Sequence, residues 1–534
     1  MTQKHPAPVV HLRDGIRVVA TPHLLGKPTT RECQKLRGFN LCGVSLVKML
    51  IGRIKREIVE AKPKRLVRYL QDAIVLLVLG GLLYYGASWE MSRADSDAAR
   101  YQCYAIAFWQ GWSGLQKLLP EQCTFITHPD KYLTVVSPDG LLHAMQQWKL
   151  PSGLIQFVAA QSPDQPYHAL PYEYPWPMLL PYSLGLVAPV HWYQIAFAMW
   201  MMVLAGCIYF VLQRWCSRRA ALAYALYLLV GGWATVVARF DLIPAALTLF
   251  AVLCAAHKRW NWAFALLALA TLSKFYPATL LVPFLLALQQ GTQEKWYAWR
   301  RWLPMGVFVG VCVLVIGVSL LLSVVGTLAP LGYFGNRPVQ IESLSASILW
   351  VCSLLGKTSL TYAHTFGSLN VLSSLSSSVT FLITVLLVIS PLYTWWLQWR
   401  GRIDLAMACL LTVLIVMVTG KVFSPQYLIW VIPLAAYVGQ SKRRWLLFWT
   451  LVGLLTSWVY PYIYHMAHIL QVPYTLLFYP VTAVRNFLLL GFILFILASR
   501  SRLDHSLSHG KEQVESGKQS SQNPQQDLVK AWVT

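Results

Sequence analysis

The sequence predicts an all-α polytopic membrane protein with about twelve transmembrane helices, and three observations predict it. The 534 residues are 56% hydrophobic and only 12% charged, a balance too apolar for a soluble chain of this length. Apolar runs of about 20 residues recur, each long enough to span a hydrocarbon core of roughly 30 Å. The runs lack the alternation of barrel strands, so helices must satisfy their backbone groups.

Six short basic clusters punctuate the runs, at residues 214–219, 257–259, 295–301, 400–402, 442–444 and 500–502. Lys and Arg beside membrane spans are retained on the cytoplasmic side. With all six clusters placed there, most of the other charges fall on the opposite face: Asp95, Asp97, Glu173, Arg239, Asp241, Lys274, Arg337, Glu342 and Lys421. Parity then selects twelve spans, at 73–89, 191–212, 220–238, 242–256, 260–273, 277–288, 303–325, 371–397, 405–420, 427–437, 445–462 and 476–498. Counting 344–355 as another crossing inverts every later cluster, so 344–370 is expected to be an external amphipathic or re-entrant segment.

The net charge of +23 would suit nucleic acid, but its placement argues for topology and membrane lipids instead. Residues 1–68 carry 15 Lys and Arg against 4 Asp and Glu, a basic segment that adheres to anionic headgroups. Domain organisation is therefore read as a basic cytoplasmic segment over 1–71, a transmembrane domain over 72–498 and a polar, disordered cytoplasmic tail over 499–534. No secretory signal precedes the first run, which is expected to stay as a helix. The first external loop, 90–176, reverses sign, with 8 acidic and 5 basic residues. Its Trp, Tyr and Pro content suits short interfacial helices. Cys103 and Cys123 both fall in it, as a disulfide or as two thiols.

The runs 242–256, 260–273 and 277–288 are short, about 18–22 Å at 1.5 Å per residue. Their turns should therefore lie below the external surface, where irregular backbone needs protein or a water-filled cavity around it. Ionisable residues at that depth default to function. Arg239, Lys274, Arg337 and Lys421 on separate turns suit an anionic group, most simply a phosphate. A carboxylate just after the first helix can accept a proton from a hydroxyl. Asp241 either joins this site or pairs with Arg239 two residues away, and Lys421 is equally read as an interfacial lysine. Gln426 either joins the site or caps a helix start. No acidic or His cluster makes a metal site, so neither metal nor cofactor is expected.

The segments D-A-A-R-Y at 97–101, Y-E-Y-P at 172–175, R-F-D-L-I-P-A at 239–245, K-F-Y-P at 274–277, R-P-V-Q-I-E-S at 337–343 and F-S-P-Q-Y-L-I-W at 423–430 together resemble glycosyltransferase family 87. That family belongs to the GT-C superfamily of membrane enzymes, and the resemblance covers roughly 73–498. It implies a plasma-membrane enzyme with both termini cytoplasmic and its site external. The implied reaction is inverting transfer of a hexose, often mannose, from a polyprenyl-phosphate sugar to a hydroxyl of a lipid or glycan acceptor. Asp97 is then the expected base, with Asp95 its local rival. Arg239, Lys274, Arg337, Lys421, Glu173, Tyr174, Asp241, Glu342 and Gln426 are expected around the donor phosphate and sugar. The alternative is a multi-span transporter or flippase for an anionic or lipid-linked solute. Against it, no internal repeat is visible, and the long first loop has no later counterpart.

Overall fold

The computed structural model describes residues 63–90, 96–127, 138–292, 295 and 297–521. The chain divides into two units, Met1–Gln71 and Asp72–Thr534. Of the first, only residues 63–71 are described, as opening turns of a helix, so the rest of the basic segment lies outside the described residues.

Helix α1 (Pro63–Glu90) is followed by four short helices, α2 (Asp97–Gln110), α3 (Pro120–Thr127), α4 (Pro138–Gln147) and α5 (Ser152–Ala159). The Ser96 hydroxyl accepts from the Ala99 amide at the start of α2, satisfying one of the amides that every helix start leaves free. Cys103 and Cys123 form a disulfide joining α2 to α3, which decides the pairing that the sequence left open. Next come α6 (Leu179–Leu184), α7 (Tyr193–Trp215), α8 (Arg218–Gly231), α9 (Leu242–Ala256), α10 (Trp260–Ser273), α11 (Leu281–Gly291), α12 (Trp299–Leu322) and α13 (Val324–Asn336). Helix α14 (Leu344–Leu354) precedes a hairpin of β1 (Thr361–Thr365) and β2 (Ser368–Leu372). After the hairpin come α15 (Ser376–Trp399), α16 (Leu405–Thr419), α17 (Leu428–Gly439), α18 (Arg443–Ser457) and α19 (Phe478–Ser521).

Among the described residues, six stretches are long and apolar enough to cross a membrane: Leu66–Ser88, Val190–Trp215, Trp299–Leu322, Ser376–Trp399, Arg443–Met466 and Phe478–Arg500. In Trp299–Leu322 only 11% of the apolar window is buried within the protein, so the rest of that surface has lipid as its natural solvent. The chain is an all-α membrane protein. Helices α9, α10 and α16 and the stretch Pro425–Gly439 are apolar but shorter. They form the inner layer: α9 packs on α10 and α17, and α8 packs on α17 and α18. A Cβ built on Gly231 of α8 would stand 3.1 Å from the Gly453 Cα of α18. These two helices therefore touch backbone to backbone, as small residues allow in membranes.

Four expectations need correction. Residues 344–370 form α14 plus most of the hairpin, and the run expected from 371 begins as helix at Ser376. Phe366 and Gly367 form a two-residue loop with φ of 55° and 62°, the backbone that turns a tight hairpin. The run expected over 220–238 is helical only to Gly231, and the run over 303–325 breaks at Ser323, whose hydroxyl caps α13. The tail expected to be disordered from 499 continues α19 as helix to Ser521; residues 522–534 lie outside the described residues. No proline interrupts 499–521, and a helix already nucleated in the span extends at little further cost.

Candidate active site

The described chain brings the N-terminus of α2, the segment before α6, and the turns after α8, α10, α13 and α16 to one cavity of about 570 Å³. Asp97, Glu173, Tyr174, Arg239, Lys274, Arg337, Glu342 and Gln426 all line it. Asp241 stands behind the wall. Lys421 is exposed and absent from the lining, and only its carbonyl serves the site, accepting from the Gln340 amide at 3.0 Å. The exposed turn after Gly420 carries that side chain outward, so the structure does not support the expected donor contact. Asp95 lies outside the described residues.

Asp97 occupies the first turn of α2, where the helix dipole favours a negative charge. Its carboxylate makes a close ion pair with Arg239 and lies 3.7 Å from Arg100, one turn along the same helix. Arg100 is also 3.7 Å from Glu173, so one guanidinium bridges two carboxylates. The Phe125 ring covers it with 4.5 Å between guanidinium carbon and ring centre. The hairpin tip closes the other side, where a Cβ on Gly367 would stand 3.2 Å from Arg100 Nη1. Glu173 is 4% exposed, and Tyr333 Oη lies 3.1 Å from it and 2.9 Å from the Phe366 carbonyl oxygen.

The pair that the sequence offered, Arg239 with Asp241, is not the one that forms. Asp241 accepts from Lys274 Nζ and from Trp430 Nε1, both at 2.5 Å. The rings of Phe240, Trp430 and Tyr427 surround the same ammonium at 4.9, 4.9 and 5.3 Å, a cation–π cage. Glu342 faces Arg485 of α19 at 3.4 Å and accepts from Tyr464 at 3.0 Å. Tyr174 packs edge-on against Phe240, with ring centres 4.8 Å apart. The Gln426 amide oxygen accepts from Ser424 at 2.5 Å.

Arg337 stands apart. Among the described residues it has no carboxylate within ion-pair distance, its Nε is buried without a hydrogen-bond partner, and its guanidinium carbon lies 5.4 Å from the Tyr333 ring centre. Around the cavity, Arg100, Arg239, Lys274, Arg337 and Arg485 meet Asp97, Glu173, Asp241 and Glu342. Among these described residues one positive charge is in excess, and Arg337 carries it.

Burial alone would push the Asp97 carboxyl up, but Arg239, Arg100, Lys274 and Arg337 together hold it below its ordinary value. Glu173 moves the opposite way, because desolvation and the charge of Asp97 outweigh the pull of Arg100. Two carboxylates sharing one arginine thus differ in proton affinity. Desolvation lowers Lys274, with Asp241 opposing the shift.

Arg100, Tyr333, Trp430, Arg485 and the hairpin tip escaped the sequence reading. Arg485 had a usable signal, a charge inside an apolar span. Arg100 had another, its i, i+3 spacing from Asp97. The hairpin tip reaches the site only through long-range pairing. Among the described residues no three His, Cys, Asp or Glu gather closely enough to hold a metal ion. The chain matches no family model and no curated protein.

Proposed function

We propose that the protein is an inverting GT-C-type glycosyltransferase that moves a hexose, with mannose favoured, from a polyprenyl-phosphate donor to a hydroxyl of a lipid or glycan acceptor. One observation carries the reading: among the described residues, a cavity whose one cation without a carboxylate partner is Arg337 also holds the Asp97 carboxylate, which the surrounding cations keep below its ordinary value. A phosphate would neutralise the first while the second takes a proton.

In this reading the acceptor oxygen attacks the anomeric carbon as the bond from that carbon to the phosphate oxygen breaks, with inversion. The acceptor proton passes to Asp97, and the polyprenyl phosphate departs with the bonding electrons. Arg337, Arg239 and Lys274 stabilise the phosphate most as its charge grows. Arg239 touches Asp97 already, so donor phosphate competing for this arginine makes the carboxylate a stronger base when it is needed. Phosphate is a sufficient leaving group once neutralised, and no proton donor is required there.

The finer topology belongs to the same proposal. Twelve crossings, six of them long, with both termini cytoplasmic, put the cavity on the external face of the plasma membrane. The inner helices α9, α10 and α16 are 15, 14 and 15 residues long, about 21–23 Å. They stop short of a full crossing, as a recessed cavity requires.

The test uses purified protein in lipid with labelled polyprenyl-phosphate mannose. Label should pass to an acceptor, and Arg337→Ala should raise the donor KM by about tenfold or more, the worth of one charge-assisted phosphate contact. Uptake of the labelled lipid or its headgroup into vesicles without covalent transfer would instead support the carrier reading. A donor KM unchanged in Arg337→Ala removes Arg337 from the mechanism.

A further inference from the structure

Arg485 is a cation of the site that does not reach the cavity. It lies inside the apolar stretch Phe478–Arg500 and is 0% exposed, where an ion needs a partner or a purpose. Most of its contacts are to Glu342. Nη1 is 3.4 Å from Glu342 Oε2, and Nη2 donates to the Glu342 carbonyl oxygen at 2.9 Å. The adjacent Asn486 amide donates to that same carbonyl and to Ser347 Oγ, each at 2.9 Å. The Phe423 ring lies 4.2 Å from the guanidinium carbon.

Glu342 closes the loop that begins at Arg337. That loop is held like a strand: the Val371 amide donates to the Val339 carbonyl at 2.8 Å, and the Ile341 amide donates to the Leu369 carbonyl at 3.1 Å. Helix α19 grips its far end. Glu342 itself lines the cavity, so without Arg485 a bare carboxylate would face any anion bound there.

We propose that Arg485 is a positioning residue for the anion site: it cancels the charge of Glu342 and anchors the loop, leaving the charge of Arg337 uncompensated for a phosphate. The inference rests on the cavity accepting a phosphate, as the functional reading holds. Arg485 acts through Glu342 and touches no substrate.

The experiment measures the equilibrium Kd of undecaprenyl monophosphate for purified full-length protein in nanodiscs between pH 5 and 8. Arg485→Met should raise Kd roughly tenfold at pH 8, the effect of one uncompensated charge across the cavity. The deficit should shrink toward pH 5. Burial already raises the Glu342 carboxyl above its ordinary value, and as pH falls through that value the group takes a proton and stops repelling phosphate. Arg485, Tyr464 and Arg239 face Glu342, and His364 and His468 share the cavity. Each Kd is therefore compared with that of Glu342→Gln/Arg485→Met, which keeps those groups and should bind within about threefold of wild type.

The proposal is overturned by an Arg485→Met Kd equal to wild type at pH 8, by a deficit that does not change with pH, or by a double variant as weak as the single. If Arg485→Met does not fold, the double variant decides alone: near-wild-type binding supports the proposal, and a tenfold loss overturns it. A wild-type protein that fails to bind the probe, or binds it equally after Arg337→Ala, removes the phosphate site and this proposal together.

Discussion

Asp97→Asn is expected to lower kcat for sugar transfer by about 10²–10⁴-fold, the usual worth of a positioned base, without raising the donor KM. Asn keeps the shape of Asp97 at the start of α2, where Ser96 caps the helix, so the fold should survive. The change also removes a negative charge beside Arg239, which leaves that guanidinium more available to phosphate. A fall in kcat with constant or lower KM is thus the signature of a lost base. A higher KM with unaltered kcat would reassign Asp97 to binding. Full turnover in Asp97→Asn together with inactive Asp95→Asn would transfer the role to the neighbouring carboxylate.

The pH profile has a definite sign. Arg239, Arg100, Lys274 and Arg337 overcome burial and hold Asp97 below the ordinary carboxylate range, about 3.9. The acid limb of kcat/KM, which reports the free enzyme, should therefore fall below that value. Donor phosphate draws on Arg239 and Arg337, so the acid limb of kcat should lie higher. The same lowered value contributes folding stability above the ordinary carboxylate range, which is lost as pH falls through the folded value.

Asp241→Ala is the second large effect, and it is expected in stability. Asp241 is 1% exposed and accepts from both Lys274 and Trp430 at 2.5 Å. Removing it strands a buried ammonium within three aromatic rings, a loss of about 3–5 kcal/mol. Burial already lowers Lys274 and Asp241 opposes that shift, so in the variant the amine should lose its proton more readily than in the wild type. Thermal unfolding in detergent measures the first effect. The double variant Asp241→Asn/Lys274→Met should recover most of the lost stability, because an unpaired charge is no longer buried. If it recovers stability but not transfer, Lys274 contacts the donor. If both return, the pair only holds its turns together.

The helices were legible because hydrophobic length is a one-dimensional property. Runs such as 242–256 and 260–273 match α9 and α10 to the residue, since the cluster at 257–259 marks the turn between them. Partnerships were not legible. Asp241 stands two residues from Arg239, yet its ammonium partner, Lys274, comes from the turn after α10, and Arg239 reaches back to α2. Sequence proximity favoured the wrong pair, because that distance is set by how α8, α9 and α10 pack. The hairpin escaped for a similar reason: strand β2 is fixed by Val339 and Ile341 as much as by β1. The two readings of Lys421 could not be separated in the sequence because its motif is shared by side chains that face opposite ways, Gln426 inward and Lys421 outward.

The Cys103–Cys123 bridge joins the helix that carries Asp97 and Arg100 to the helix that carries Phe125, the ring covering Arg100. The two halves of that clamp are therefore tied by a covalent bond as well as by packing. A preparation kept in thiol reductant handles a different molecule from one kept oxidised, even when both fold. The redox history of a sample thus belongs beside its pH and its lipid whenever turnover numbers are compared.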